Sequence, residues 1–248
     1  MPPISFVSPT AGQKILSSKV ALVTGGSRGI GLAIAARLNA LGASVAICAR
    51  DGARLRAAAA EISGAGGPAL GIRADVTSET EVAALVRSTE TSLGPIEILV
   101  NNAGIGYFGS IADASESVWD SVLDTNLKSV FLVSKAVAPG MIARRSGHII
   151  NIASLSGKSA FAGGAIYCAS KWGLLGLTQC LAEDLRGHGI RVAAICPGTV
   201  ATEFSPHSGK DPRKMLQPDD IAHAVETLVT QAPQSFISEI LLRPTQKP

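Results

Sequence analysis

The chain has 248 residues, 46% of them apolar and 17% charged, with a mean hydropathy of +0.31 and a formal charge of +3. Such a chain can bury a large core, and it carries no nucleic-acid footprint, because no basic block is longer than Arg144-Arg145. No apolar run reaches membrane-spanning length, and four scattered cysteines (Cys48, Cys168, Cys180 and Cys196) without a C-x-x-C spacing favour reduced core thiols in the cytoplasm over a zinc site.

Residues 1–18 hold three prolines and several serines and read as a flexible tail, their longest apolar run, Ile4 to Val7, being too short for a signal segment. From residue 19 onward we expect one domain in which strands and helices alternate. Strands are expected over 20–24, 44–49, 69–74, 96–100, 147–153, 191–196 and 236–242. Helices are expected over 30–41, 53–62, 78–92, 115–142, 165–188 and 218–231, with Pro139-Gly140 kinking or ending the fourth. Strictly alternating elements with right-handed crossovers imply an α/β fold, a doubly wound parallel sheet in the order 3-2-1-4-5-6-7 with helices on both faces. Ligands of such sheets bind in the crevice at the carboxyl ends of the strands.

Most chemically suggestive residues fall at those ends. The first strand runs into Thr24-Gly25-Gly26-Ser27-Arg28-Gly29-Ile30-Gly31, where Gly25, Gly29 and Gly31 give the spacing G-x-x-x-G-x-G. Glycines let the backbone approach a ligand closely, and the free N–H groups of the helix that follows favour a pyrophosphate. Ser154 follows the fifth strand, and thirteen residues later comes Tyr167-Cys168-Ala169-Ser170-Lys171. A Tyr and a Lys four residues apart share one helical face, so an ammonium there lowers a phenol's pKa and makes it usable as an acid or base. Alone, the same pair is an ordinary surface pair; Ser154 is equally a turn residue and Asn126 a core or capping amide. Cys168 reads as packing.

Together these residues resemble the short-chain dehydrogenase/reductase family, in its compact single-domain branch, over nearly everything from Lys19 onward. Thr24-Gly25 through Gly31, including Ser27, Arg28 and Ile30, match that family's cofactor turn in a Rossmann-type fold. Asp75-Val76 match its adenine-contacting pair, and Asn101-Asn102-Ala103-Gly104 the signature after the fourth strand. Pro197-Gly198, with Val200 and Thr202, match the segment over the nicotinamide. The resemblance implies a catalytic tetrad of Asn126, Ser154, Tyr167 and Lys171. Ser154 would polarise a substrate carbonyl, Tyr167 supply the proton, Lys171 hold the nicotinamide ribose, and Asn126 position a water. No metal is implied.

Cofactor choice turns on the residues after the second strand, where a carboxylate would accept from the ribose hydroxyls of NAD(H). Here Ala49 is followed by Arg50, and Arg28 lies in the glycine turn. Two guanidinium groups suit a 2′-phosphate, so NADP(H) is expected over NAD(H). A small shift of register would bring Asp51 into play instead, and both arginines also fit a reading as solvated charges.

Tyr107, Phe108, Phe161 and Phe204 are candidates for an apolar substrate pocket. The general look is that of 3-oxoacyl-acyl-carrier-protein reductases, whose carrier site would involve Arg144-Arg145, but His188 and the ending Glu239 to Pro244 depart from their pattern. A non-catalytic NADP-binding sensor or scaffold is the alternative on the same fold. An NAD-dependent alcohol or sugar dehydrogenase is another. Apolar residues on more than one face of the two longest helices point to a homo-oligomer, and the family resemblance implies a tetramer of 222 symmetry.

Overall fold

The computed structural model describes residues 14–63, 67–204 and 211–247. Seven parallel strands form one sheet in the order β3-β2-β1-β4-β5-β6-β7. They are β1 (Val20–Thr24), β2 (Ser44–Ala49), β3 (Ala69–Arg73), β4 (Ile96–Asn101), β5 (Gly147–Ile152), β6 (Ile190–Pro197) and β7 (Glu239–Leu242). The helices between them are α1 (Gly29–Ala40), α2 (Gly52–Ser63), α3 (Glu79–Leu93), α4 (Glu116–Leu123), α5 (Ser129–Arg144), α6 (Ala165–Arg186) and α7 (Pro218–Val229). The expected order holds, and β7 starts three residues later than its apolar pattern indicated.

Alternation along the strands divides the core between the two faces. Ala21 and Val23 of β1, with Val45 and Ile47 of β2, pack beneath Ile34 and Leu38 of α1 and Ile221 and Val225 of α7. Val20 and Leu22, with Ala46 and Cys48, face the opposite side, against Val82 and Leu85 of α3 and Val133, Val137 and Met141 of α5. Each such large side chain is sealed from solvent, and full burial of one contributes about 1.5–3 kcal/mol. Cys48, Cys168 and Cys196 are buried as expected, whereas Cys180 is exposed on α6.

Two features differ from the sequence reading. The long fourth helix does not end at Pro139, which lies inside α5; the chain closes only at Arg145, in a left-handed conformation at φ 52°. Its irregularity falls earlier, in a π-helical segment, Asp124–Lys128, inserted between α4 and α5. The extra residue of a π turn re-aims side chains, a device frequent at functional sites, and no proline or glycine marks it in the sequence. The second difference concerns the chain before Lys19. Leu16 is buried in the core and its N–H donates to Leu41 O at 2.9 Å, so the packed body begins by Lys14. The rest of the expected tail, residues 1–13, lies outside the described residues.

Candidate active site

A cleft of about 1520 Å³ runs along the carboxyl edge of the sheet, from Arg50 at one end to Tyr167 and Phe161 at the other. It sits where the strand order reverses between β1 and β4. Its floor is drawn tight by Thr24, whose hydroxyl accepts from the N–H groups of Asn102 (3.0 Å) and Ala103 (3.1 Å). Asn102 returns the contact, its side-chain amide donating to Thr24 O and Gly25 O. Gly25 and Gly29 adopt positive φ, at 65° and 55°. A Cβ on Gly31 would collide with Gly25 O and the Asn102 amide. This glycine cradle, opening onto the N-terminus of α1, is the surface a pyrophosphate requires, and the residues fit a dinucleotide.

At the Arg50 end Asp51 caps a helix. Its carboxylate accepts from the N–H groups of Ala53 (3.0 Å) and Arg54 (3.1 Å), capping α2. One carboxylate oxygen is thus engaged by the helix, and Asp51 still lines the cleft. Arg28, Arg50 and Arg54 all line this end of the cleft, together with Glu203. Arg54 had no signal in the sequence beyond lying in the first turn of a helix. Asp75 accepts from the N–H (2.9 Å) and hydroxyl (2.8 Å) of Thr77, and the backbone N–H above all holds its carboxyl below the usual range. Its neighbour Val76 is buried.

The opposite end is buried and cross-braced. Asn126, from the π-helical segment, is fully buried. Its Oδ1 accepts from Ile105 N at 2.8 Å, while its Nδ2 donates to Ile105 O at 2.9 Å and to Ser170 Oγ at 3.0 Å. Ser170 donates in turn to Tyr167 O at 2.7 Å, which anchors the first turn of α6. Ser170 had been visible only as a member of the Tyr-to-Lys stretch. Behind it, Asn101 donates to Asn151 and Ser134, and Asn151 to Thr178, joining β4, β5, α5 and α6 through buried amides.

Tyr167, Ser154 and Lys171 converge as the sequence reading expected, but their electrostatics differ from it. Burial pushes the Tyr167 phenol up to about 12, opposed by a hydrogen bond with Ser154. Burial likewise pulls Lys171 down to about 8. The expected lowering of the phenol by the ammonium is absent because Lys171 Nζ donates to Ile152 O (2.9 Å) and stands 5.8 Å from the centre of the Tyr167 ring. At neutral pH the site therefore holds a protonated phenol beside an ammonium, the ionisation suited to giving a proton. Ser154 Oγ also accepts from Ser156 N (3.0 Å), which fixes the turn after β5.

Phe108 and Phe204 flank Tyr167, with ring centres 5.3 and 5.9 Å away, and Phe161 lies 6.2 Å from Phe108. Tyr107, grouped with them in the sequence reading, does not line the cleft; its hydroxyl donates to Ser110 O. Pro197, Gly198, Val200 and Thr202 form the wall after β6, with Thr202 packed 3.4 Å from where a Cβ on Gly29 would lie. Ser27, Ile30, Ala103 and Gly104 line the cleft as well. Arg144 and Arg145 are exposed, and their guanidinium groups donate to Ile96 O (2.7 Å) and Gly187 O (3.1 Å). Among the described residues no cluster of three or more metal-ligating side chains occurs, and no helix is long and apolar enough to cross a membrane.

Comparison with known proteins gives a consistent result. The family model described as short chain dehydrogenase matches residues 19–213. Over 187 residues the chain is 42% identical to 2-(S)-hydroxypropyl-CoM dehydrogenase 3 of Xanthobacter autotrophicus, covering 75% of this chain and 73% of that one. It superposes on a metagenomic short-chain oxidoreductase in complex with NADP with a TM-score of 0.83 at 47% identity, covering 94% of this chain and 99% of the other. A point variant of the actinorhodin polyketide ketoreductase with NADPH gives a TM-score of 0.85 at 37% identity, covering 90% and 95%.

Proposed function

The chain belongs to the short-chain dehydrogenase family, and from that premise we propose that it is an NADP(H)-dependent oxidoreductase acting on a carbonyl compound or the corresponding secondary alcohol. The observation that carries this reading is one cleft with a buried, protonated Tyr167 hydrogen-bonded to Ser154, and Lys171 nearby, at one end and three arginines at the other. The structural relatives in complex with NADP and NADPH support the cofactor.

The glycine cradle would hold the pyrophosphate of a dinucleotide, whose nicotinamide would supply or accept the hydride. Negative charge then develops on the substrate oxygen, where the Ser154 hydroxyl donates a hydrogen bond and the Tyr167 phenol delivers its proton. Lys171, charged below about pH 8, would hold the nicotinamide ribose through its ammonium. Asn126 and Lys171 face a shared gap: a Cβ on Gly104 would lie 3.2 Å from Asn126 Oδ1 and 3.9 Å from Lys171 Nζ. With both amide N–H groups committed, the second lone pair of Asn126 Oδ1 is left to hold a water that returns the proton through Lys171.

The three phenyl rings favour an apolar substrate, and a 3-oxoacyl thioester is one carbonyl class that fits. Exposed Trp119, Phe131 and Trp172 on α4, α5 and α6, beside a hollow lined by Leu123, Leu127 and Leu177, support pairing of these helices in a homo-oligomer, a tetramer. We take residues 19–248, with the Lys14–Ser18 turn, as one catalytic domain working in the cytoplasm. The test is oxidation of NADPH and of NADH, followed at the nicotinamide absorbance, over a panel of ketones and 3-oxoacyl thioesters. Turnover with NADPH is expected; tight NADPH binding with no turnover across the panel would favour the sensor instead.

A further inference from the structure

Three consecutive residues after β6 reach three parts of the cleft. Thr202 packs on the glycine turn at Gly29, and Phe204 lies against the Tyr167 ring. Between them Glu203 crosses the mouth of the cleft and joins two arginines that belong to separate elements. Its Oε2 accepts from Arg28 NH1 at 2.5 Å, on the turn before α1, and from Arg54 NH1 at 3.4 Å, in the first turn of α2. The two guanidinium groups would repel one another if drawn together alone; the carboxylate oxygen between them is what holds them as a pair. That oxygen does there what an oxygen of a 2′-phosphate would do, since guanidinium groups bind carboxylate and phosphate in the same geometry. Arg50 makes no ion pair among the described residues, so two of the three cations at this end are engaged by Glu203.

We propose that Glu203 is a specificity-determining residue for the cofactor: an internal carboxylate that keeps Arg28 and Arg54 assembled and must be displaced by the 2′-phosphate of NADP(H). The inference rests on the reading of the cleft as a dinucleotide site. It makes the preference for NADP(H) smaller than three free arginines would give, because the phosphate exchanges one anion for another at Arg28 and Arg54. NAD(H), which brings no 2′-phosphate, leaves the carboxylate in place. All three side chains are more than half exposed, so each pair is screened and the effect is several-fold in size.

The decisive comparison uses two probes that differ by the 2′-phosphate alone, adenosine 2′,5′-bisphosphate and 5′-AMP, titrated calorimetrically against the unmodified protein and Glu203→Gln. The amide keeps the shape and loses the charge. Expected is a bisphosphate affinity about three- to tenfold higher in the variant, with 5′-AMP unchanged. Nicotinamide fluorescence with NADPH and NADH should divide the same way. In the double variant Arg28→Ala/Glu203→Gln the gain should shrink, since one of the two released cations is gone. If Glu203→Gln binds the bisphosphate no better, or gains equally on both probes, the proposal fails while the dinucleotide reading stands. Loss of affinity for both cofactors in the variant would mean that Glu203 clamps the bound cofactor, and would also overturn it. Should the unmodified protein bind neither NADPH nor the bisphosphate, the underlying reading of the cleft is what falls.

Discussion

The two ends of the cleft are built on opposite electrostatic terms. At the Tyr167 end Asn126, Tyr167, Ser170 and Lys171 are buried, each hydrogen-bonded to backbone, to an amide or, for the phenol, to Ser154, and burial sets the ionisation of Tyr167 and Lys171. At the Arg50 end the ionisable groups stand in solvent and are held by exchangeable ion pairs, Arg28 and Arg54 on Glu203 and Arg54 on Asp51. Burial makes a pKa shift large and a geometry costly to change, which suits chemistry that must be the same for any substrate. Exposure makes each contact weak and easily rewritten, which suits the discrimination of one phosphate.

The largest expected effect breaks the buried end. Tyr167→Phe removes the proton donor and almost none of the cofactor surface, so kcat should fall by about 10³-fold or more, roughly 4 kcal/mol in the barrier, with NADPH affinity nearly intact. Lys171→Ala should impair both, because its ammonium faces the gap beside Gly104 as well as the Tyr167 ring. Single-turnover kinetics alongside fluorescence titration separate these outcomes; near-normal kcat in Tyr167→Phe would remove Tyr167 from the mechanism.

Asn126→Ala sharpens the contrast in stability. It strips partners from half-buried Ile105 N and O and from buried Ser170 Oγ, and should cost about 3 kcal/mol, read as a lowered midpoint in urea at constant slope. A loss below about 1 kcal/mol would mean that water takes over those bonds and that the buried end is less dry than its packing implies.

At the exposed end Arg50→Asp should alter selectivity and little else. Replacing an attractive charge with a repulsive one near the 2′-phosphate is expected to shift the ratio of kcat/KM for NADPH over NADH about 10- to 100-fold toward NADH, roughly 2 kcal/mol. Side-by-side kinetics check it, and an unmodified enzyme that already prefers NADH would sink the assignment of this end.

How much of this was legible in the sequence follows the same division. The sheet order and the glycine cradle could be read because each strand carries a buried apolar run and each motif residue follows a strand end. Tyr167, Lys171 and Ser154 could be read because helical spacing and order bring them together. What could not be read depends on three-dimensional crowding. The π-helical turn that aims Asn126 carries no composition signal, and Pro139 drew attention to the wrong turn of the same helix. The ammonium was expected to lower the phenol's pKa from spacing alone, whereas burial and the diversion of Lys171 to Ile152 O reverse the sign. Glu203 lies 175 residues from Arg28 and 149 from Arg54, separations over which no pattern in the chain links a carboxylate to its partners.

His148 tests whether burial governs ionisation away from the cleft too, with the smallest expected effect. It lies on β5, where Arg191 NH1 donates to its Nε2 at 2.9 Å, so the ring is neutral with its proton on Nδ1. Burial, with Arg191 and then Lys19 nearby, pulls its pKa down to about 4. In the unfolded chain an imidazole takes a proton near pH 6.5. Between pH 6.5 and about 4 the unfolded state therefore binds a proton that the folded state refuses, and stability falls as pH falls through that window. From pH 7 to pH 5 the loss attributable to His148 is about 2 kcal/mol. His148→Gln keeps an acceptor for Arg191 and does not titrate, so its urea midpoint should decline less over the same interval. If the variant and the unmodified protein lose stability in parallel between pH 7 and pH 5, His148 is solvated enough to charge in place, and burial does not extend its control beyond the Tyr167 end.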